Sequence, residues 1–150
     1  MKELLLKAIK CLLPLFGVAV FDSCAVKAEY GCPHADFEAK GVVTDEDGNG
    51  IQGIRVVISA ELPNPIFDPI TDTLWTAHDG SYIKDGGYLS QEFAHREKVK
   101  LEFEDVDGLE NGGEFQKIEI QVPVFQVREG DGDWYMGAYE TGADVTMLKK

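Results

Sequence analysis

Gly41-Val42-Val43-Thr44-Asp45-Glu46-Asp47-Gly48-Asn49-Gly50-Ile51-Gln52-Gly53-Ile54-Arg55-Val56 sets two apolar runs on either side of an acidic, glycine-containing segment. Upstream, Phe37, Ala39, Gly41 and Val43 alternate with Asp36, Glu38, Lys40 and Thr44, so 35–44 reads as a strand with one buried face. Downstream, Ile54, Val56, Ile58 and Ala60 form one face of a second strand, with Arg55 and Ser59 on the other. Asp-Gly and Asn-Gly tolerate positive φ, so 45–50 is expected to be a tight hairpin that pairs the two strands antiparallel.

The same period continues outward. Leu62 to Thr71 carries Pro63, Pro65 and Pro69 and is expected to be a loop or a crossover. Thr73–His78 and Ser81–Lys84 flank Asp79-Gly80 and are expected to form a second hairpin. Val99, Leu101 and Phe103 alternate with Lys98, Lys100, Glu102 and Glu104, and Ile118, Ile120, Val122 and Val124 alternate with Glu119 and Gln121. Ala143–Leu148, with Val145 and Met147 on one side, makes a last strand, and Ser90–Glu97 is the one short helical turn. About seven short strands with Gly-rich and Asp-rich connections predict an all-β sandwich over 35–150.

The chain of 150 residues has 14 basic and 27 acidic side chains, a net charge of −13. That charge repels phosphate backbones, which excludes nucleic acid as a partner. The acidity belongs to the part beyond residue 23. Lys2, Lys7 and Lys10 precede an apolar run from Cys11 to Phe21, a basic segment and a short apolar segment in the order of an export signal. Crossing a bilayer as a helix takes about 20 apolar residues, so this run is too short to anchor the chain. Without 1–23 the chain keeps 11 basic and 25 acidic residues, a net charge of −14.

The apolar run ends in Phe21-Asp22-Ser23-Cys24, and a cysteine there resembles the acylation and cleavage site of bacterial lipoprotein signals, with Phe21 and Asp22 departing from the usual lipobox. The expected organisation is a lipoprotein signal peptide over 1–23, a lipidated tether over 24–34 with acylated Cys24, and the sandwich over 35–150. Two acyl chains hold a protein at a membrane where one does not. If Cys24 is not acylated, a Cys24–Cys32 bridge is the alternative use of its sulfur.

Asp45, Asp47, Asn49 and Gly50 match the opening of a calcium loop, but the twelfth position is Val56, inside a strand, so the hairpin is the better reading. Glu104 to Glu114 gathers carboxylates with no base, and Asp105, Asp107, Glu110 and Glu114 are the candidate ligands for calcium, set against a solvated acidic turn. That loop apart, no cofactor is expected. Cys32, His34, His78 and His95 match no zinc spacing and read as surface residues. No nucleophile motif surrounds Ser59, Ser81 or Ser90, and no enzyme is expected. Of Trp75, Tyr82, Tyr88, Trp134, Tyr135 and Tyr139, most are expected to fill or cap the core. Trp134 and Tyr135, beside Gly130-Asp131-Gly132-Asp133, are the candidate binding pair.

The quoted stretch resembles the opening of the carboxypeptidase-regulatory-like, or transthyretin-like, sandwich, G-x-V-x-D-x-x-G-x-P-h-x-G-h-x-V, with Gly50 in place of Pro. Thr76-Ala77-His78-Asp79-Gly80-Ser81-Tyr82 resembles its second turn, with Ala77 in place of Asp. The resemblance implies a Greek-key, transthyretin-like topology. Tyr30-Gly31-Cys32-Pro33-His34-Ala35-Asp36-Phe37, the stretch from Asp105 to Phe115, and Trp134-Tyr135-Met136-Gly137-Ala138-Tyr139 are together similar to the radical SAM-associated lipoproteins of Gram-negative anaerobes. That resemblance implies a lipid-anchored protein of the cell envelope, on the periplasmic side or at the cell surface, with a radical SAM enzyme encoded nearby. It brings no catalytic residue. The expected function is a non-catalytic binding or scaffolding sandwich, partner or substrate of that enzyme. The alternative is a calcium-assisted module for glycan or protein at the cell surface.

Overall fold

Every second residue of the central strands faces inward. A computed structural model describes residues 32–60, 68–86, 90–94 and 96–150. In order these form β1 (His34–Thr44), β2 (Ile54–Ala60), β3 (Ile70–Trp75), β4 (Ser81–Asp85), α1 (Ser90–Ala94), β5 (Lys98–Asp105), β6 (Ile118–Pro123), β7 (Phe125–Glu129), β8 (Tyr135–Thr141) and β9 (Val145–Thr146). The strands make two sheets, β4-β1-β8-β7 with β9 beside the end of β1, and β3-β2-β5-β6. The fold is an all-β sandwich. The signal peptide, Cys24, Tyr88 and His95 lie outside the described residues.

The alternation in β2 and β5 supplies one half of the core. Val56 pairs with Phe103 and Ile58 with Leu101, and all four side chains are fully buried. Phe37, Ala39 and Val43 of β1 supply the other half. Phe93 of α1 stacks on Phe37 at 5.3 Å between ring centroids, and Tyr82 meets Phe103 edge-on at 5.6 Å. Each such side chain contributes about 1.5–3 kcal/mol by leaving water. An ion pair of 2.7 Å from Lys84 of β4 to Asp72 of β3 ties the edges of the two sheets, with the Lys84 side chain mostly buried.

The two expected hairpins are corrected. β1 and β2 lie in different sheets, and so do β3 and β4. Both turns are tight, as their sequences require. The Asp45 carboxylate accepts from the backbone N–H groups of Asp47 and Asn49 at 3.0 and 2.8 Å, and that of Asp79 from the N–H of Ser81 at 3.0 Å and its hydroxyl at 2.6 Å. After a bridge between Thr44 and Gly50, however, Gly53 takes φ 80° and the chain crosses to the other sheet. Turn chemistry fixes where a chain reverses, while the pairing beyond the turn follows from burial of the flanking strands.

The two crossovers are packed into each other. A Cβ on Gly50 would stand 2.1 Å from the carbonyl oxygen of Asp79, and one on Gly80 would stand 2.2 Å from that of Val43. Glycine at 50 is therefore a matter of space, not of the conformational freedom that its place in the turn suggests. Buried Thr76 locks the pair: its hydroxyl donates to the Ile51 carbonyl at 2.6 Å and accepts from the Ile54 N–H at 2.9 Å.

β7 and β8 are additions to the seven expected strands, β9 is shorter than the expected 143–148, and the helical turn is confined to α1. All of β7 is exposed, and β8 carries Gly137 at φ 109°, so neither shows a clean period of two. β8 runs parallel to β1.

Thr76→Val keeps the shape and removes the hydroxyl, leaving a buried N–H and C=O without it. Urea unfolding is expected to show a loss of about 1–3 kcal/mol with an unchanged slope. A loss under a few tenths of a kcal/mol would contradict the lock.

Candidate functional site

Asp36 stands on the outward face of β1, and the parallel register sets it opposite Ala138 of β8, which in turn faces Arg128 of β7. Two groups converge on its carboxylate. Arg128 Nη2 donates to Oδ2 at 2.8 Å, and the Tyr135 hydroxyl donates to the same oxygen at 2.9 Å. The Arg128 guanidinium also lies 5.4 Å from the centroid of the Tyr135 ring, a cation–π distance. On the far side the His34 imidazole is tilted against Tyr135 with centroids 5.4 Å apart.

The turn between β7 and β8 aims the aromatic pair. The Asp131 carboxylate accepts from the Asp133 N–H at 2.9 Å and more weakly from the Tyr135 N–H at 3.3 Å. The His34 N–H donates to the Trp134 carbonyl at 2.8 Å, which fixes the start of β1 to the start of β8. Trp134 remains exposed. Desolvation, and then the hydrogen bond to Asp36, holds the Tyr135 phenol above its ordinary pKa. The cluster therefore presents a protonated phenol, an arginine with free donors and an exposed indole. Next to it on the same sheet a cleft of about 570 Å³ is bounded by Lys40, Phe125, Val127, Glu140 and Asp144.

Of the residues expected to serve a site, Trp134 and Tyr135 do lie on the surface, and Tyr135 belongs to this cluster. Asp36 and Arg128 were not foreseen: they are 92 residues apart, and no local pattern announces a parallel β1–β8 register.

The candidate cation ligands Asp105, Asp107, Glu110 and Glu114 do not converge. Asp105 is spent on the chain itself, with Oδ1 accepting from the Asp107 and Gly108 N–H groups at 3.1 and 3.2 Å and Oδ2 from the Phe115 N–H at 2.9 Å. Asp107 takes the Asn111 amide, and Glu114 pairs with Lys150 at 2.7 Å. Among the described residues no three His, Cys, Asp or Glu side chains are grouped to hold a metal ion. The carboxylates are gathered by loop closure, with backbone N–H groups in place of an ion. Tyr82 is buried, and its hydroxyl donates to the Ala143 carbonyl at 2.8 Å and accepts from the Ala143 N–H at 3.0 Å. Cys32 is an exposed free thiol.

No protein-family model and no curated protein matches the sequence. Among solved structures the chain is similar to catechol 1,2-dioxygenase from Pseudomonas arvilla C-1, with a TM-score of 0.51 and 12% identity over 83% of this chain and 54% of that one. It is likewise similar to the wild-type catechol 1,2-dioxygenase of Acinetobacter radioresistens, with a TM-score of 0.50 and 15% identity over 83% of this chain and 54% of that one. The chain thus spans about half the length of either enzyme. At such identity the likeness is one of fold.

Three expectations are corrected by it. The sandwich was expected to be a non-catalytic scaffold or binding module, to be no enzyme and to need no cofactor. The solved structures it resembles include enzymes, the two catechol 1,2-dioxygenases, so the architecture gives no ground for any of the three. A catalytic metal site needs imidazole, phenolate or carboxylate donors around one point. Here His34 opens β1, whereas His78 lies in the turn before β4, whose Ser81 pairs with Val42 near the other end of β1. His34, Asp36 and Tyr135 do come together, but the Asp36 carboxylate is taken up by Arg128 and Tyr135, and no three His, Cys, Asp or Glu side chains among the described residues are grouped for a metal ion, so the cluster does not fit a metal centre.

Asp36→Ala is expected to bring the Tyr135 pKa down towards the ordinary value, read by ultraviolet titration. An exposed ion pair contributes only about 0–1 kcal/mol, so the urea midpoint should scarcely move. A Tyr135 titration identical to that of the unsubstituted chain would contradict the cluster.

Proposed function

We propose that the protein is an exported lipoprotein of the cell envelope, anchored through an acylated Cys24 after removal of 1–23, and that it belongs with the radical SAM-associated lipoproteins. In this reading the sandwich has the transthyretin-like, Greek-key topology, 24–34 is its tether, and its partner is the radical SAM enzyme encoded nearby. One observation carries the proposal. Two of the three segments on which the family resemblance rests, about a hundred residues apart, meet in a single surface cluster: His34 and Asp36 from the first, Trp134 and Tyr135 from the last.

Surface side chains bonded to one another across such a separation are costly to keep ordered unless they meet something. The Arg128–Asp36–Tyr135 group with Trp134 is the face offered to the partner, since aromatic and arginine side chains carry most of the energy of protein contacts. The segment from Asp105 to Phe115 has a structural use in this account, as a loop closed by Asp105. Among the described residues no helix is long and apolar enough to cross a membrane, and attachment is assigned to the acyl chains on Cys24.

Growth with a labelled fatty acid tests both halves. The unsubstituted chain is expected to take up label and to carry the neighbouring enzyme through purification. Cys24→Ser should lose the label, and an Asp36→Ala, Tyr135→Ala double variant should keep the label and lose the enzyme. Label retained by Cys24→Ser would contradict the anchor, and equal recovery of the enzyme with the double variant would contradict the face.

A further inference from the structure

The outward face of the β3-β2-β5-β6 sheet holds a polar pocket of about 250 Å³, lined by Ser59, Pro69, Lys98, Val99, Lys100 and Gln121. Strand register builds it. Ser59 of β2 is opposite Lys100 of β5, and Lys100 is opposite Gln121 of β6, so a hydroxyl, an ammonium and a carboxamide stand in one row across three strands. Lys98, two residues before Lys100, shares its face.

Ser59 is the unusual member. The pleat puts it on the solvent side of β2, yet it is only 9% exposed, and it lines the pocket.

The charges around the pocket are also out of balance. Lys98 has no ion pair among the described residues. Lys100 reaches Glu102 and Glu119 only at 3.7 and 3.8 Å, whereas Lys117 takes the same two acids at 2.8 and 3.0 Å. Lys117 thus accounts for most of that negative charge. Lys98 is thus left without an ion pair among the described residues and Lys100 with only its two longer ones, beside the pocket of a chain whose net charge is −13.

We propose that this pocket is a binding site for a phosphate group. Two ammonium groups, a hydroxyl and a carboxamide NH₂ arrive from three strands, and a tetrahedral oxyanion has acceptor oxygens for all of them, where a carboxylate has only two. The assignment is independent of the Cys24 anchor and of the Asp36 cluster, which lies on the other sheet. The phosphate group is either free or the headgroup phosphate of a glycerolipid.

Titration of the ¹⁵N-labelled full chain at constant ionic strength, once with inorganic phosphate and once with glycerophosphoglycerol, tests it. Saturable amide shifts confined to Ser59, Lys98, Lys100, Gln121 and their neighbours are expected with at least one probe, and the tighter probe tells the free ion from the headgroup. Ser59→Ala and Lys98→Ala, whose spectra should otherwise overlay that of the parent, are each expected to weaken binding by about tenfold. No saturable shift with either probe, or shifts undiminished in both variants, would overturn the proposal.

Discussion

The Thr76 hydroxyl, held between the Ile51 carbonyl and the Ile54 N–H, is the contact on which the rest of the sandwich depends. It joins the crossover from β1 to β2 to the crossover from β3 to β4, and with Gly50 and Gly80 at backbone contact distance it fixes where the chain leaves one sheet for the other. β1 is thereby left free to pair with β4 on one side and with β8 on the other. The parallel β1–β8 pairing then brings Asp36 to Tyr135. The surface cluster follows from that pairing together with the Asp131 turn and the bond from the His34 N–H to the Trp134 carbonyl.

The buried faces were legible because period two is a direct imprint of the pleat. Val99, Leu101 and Phe103, and likewise Ile54, Val56 and Ile58, lie where their alternation put them. The partners of those strands were not legible. Asp45 and Asp79 close their turns through hydrogen bonds to N–H groups two residues on, and this chemistry is the same whether the strands beyond pair or part. β7 and β8 escaped for a different reason. β7 is exposed along its whole length and β8 is half-buried on both faces around Gly137 at positive φ, so neither carries a one-sided pattern. At the candidate site, Trp134 and Tyr135 stood out by residue type. Asp36 and Arg128 did not, since only a register across distant strands gives them meaning. The acidic stretch from Glu104 to Glu114 shows the converse. Five carboxylates in eleven residues suggested an ion, but Asp105 is satisfied by three backbone N–H groups.

The likeness to the catechol dioxygenases is a lesson in what an architecture carries. The same fold occurs in those enzymes, so it is no argument for a passive role here. Nor does it transfer their chemistry, because a site consists of particular side chains and not of a fold. In this chain the surfaces with specific chemistry are the Asp36–Arg128–Tyr135 cluster on one sheet and the Ser59–Lys98–Lys100–Gln121 pocket on the other. The first places a carboxylate under two donors, and the second sets two lysines beside a hydroxyl and a carboxamide, with Lys98 free of any ion pair among the described residues. The two faces are therefore suited to different ligands.

The pairing of β1 tests the account most directly. Nuclear Overhauser contacts across strands, measured on the isotopically labelled protein, should link Ala39 with both Lys84 and Thr141, and Asp36 with Ala138, while Val56 contacts Phe103. A ladder of contacts joining β1 directly to β2 in hairpin register, with none from β1 to β8, would contradict the crossed turns and with them the cluster that they assemble.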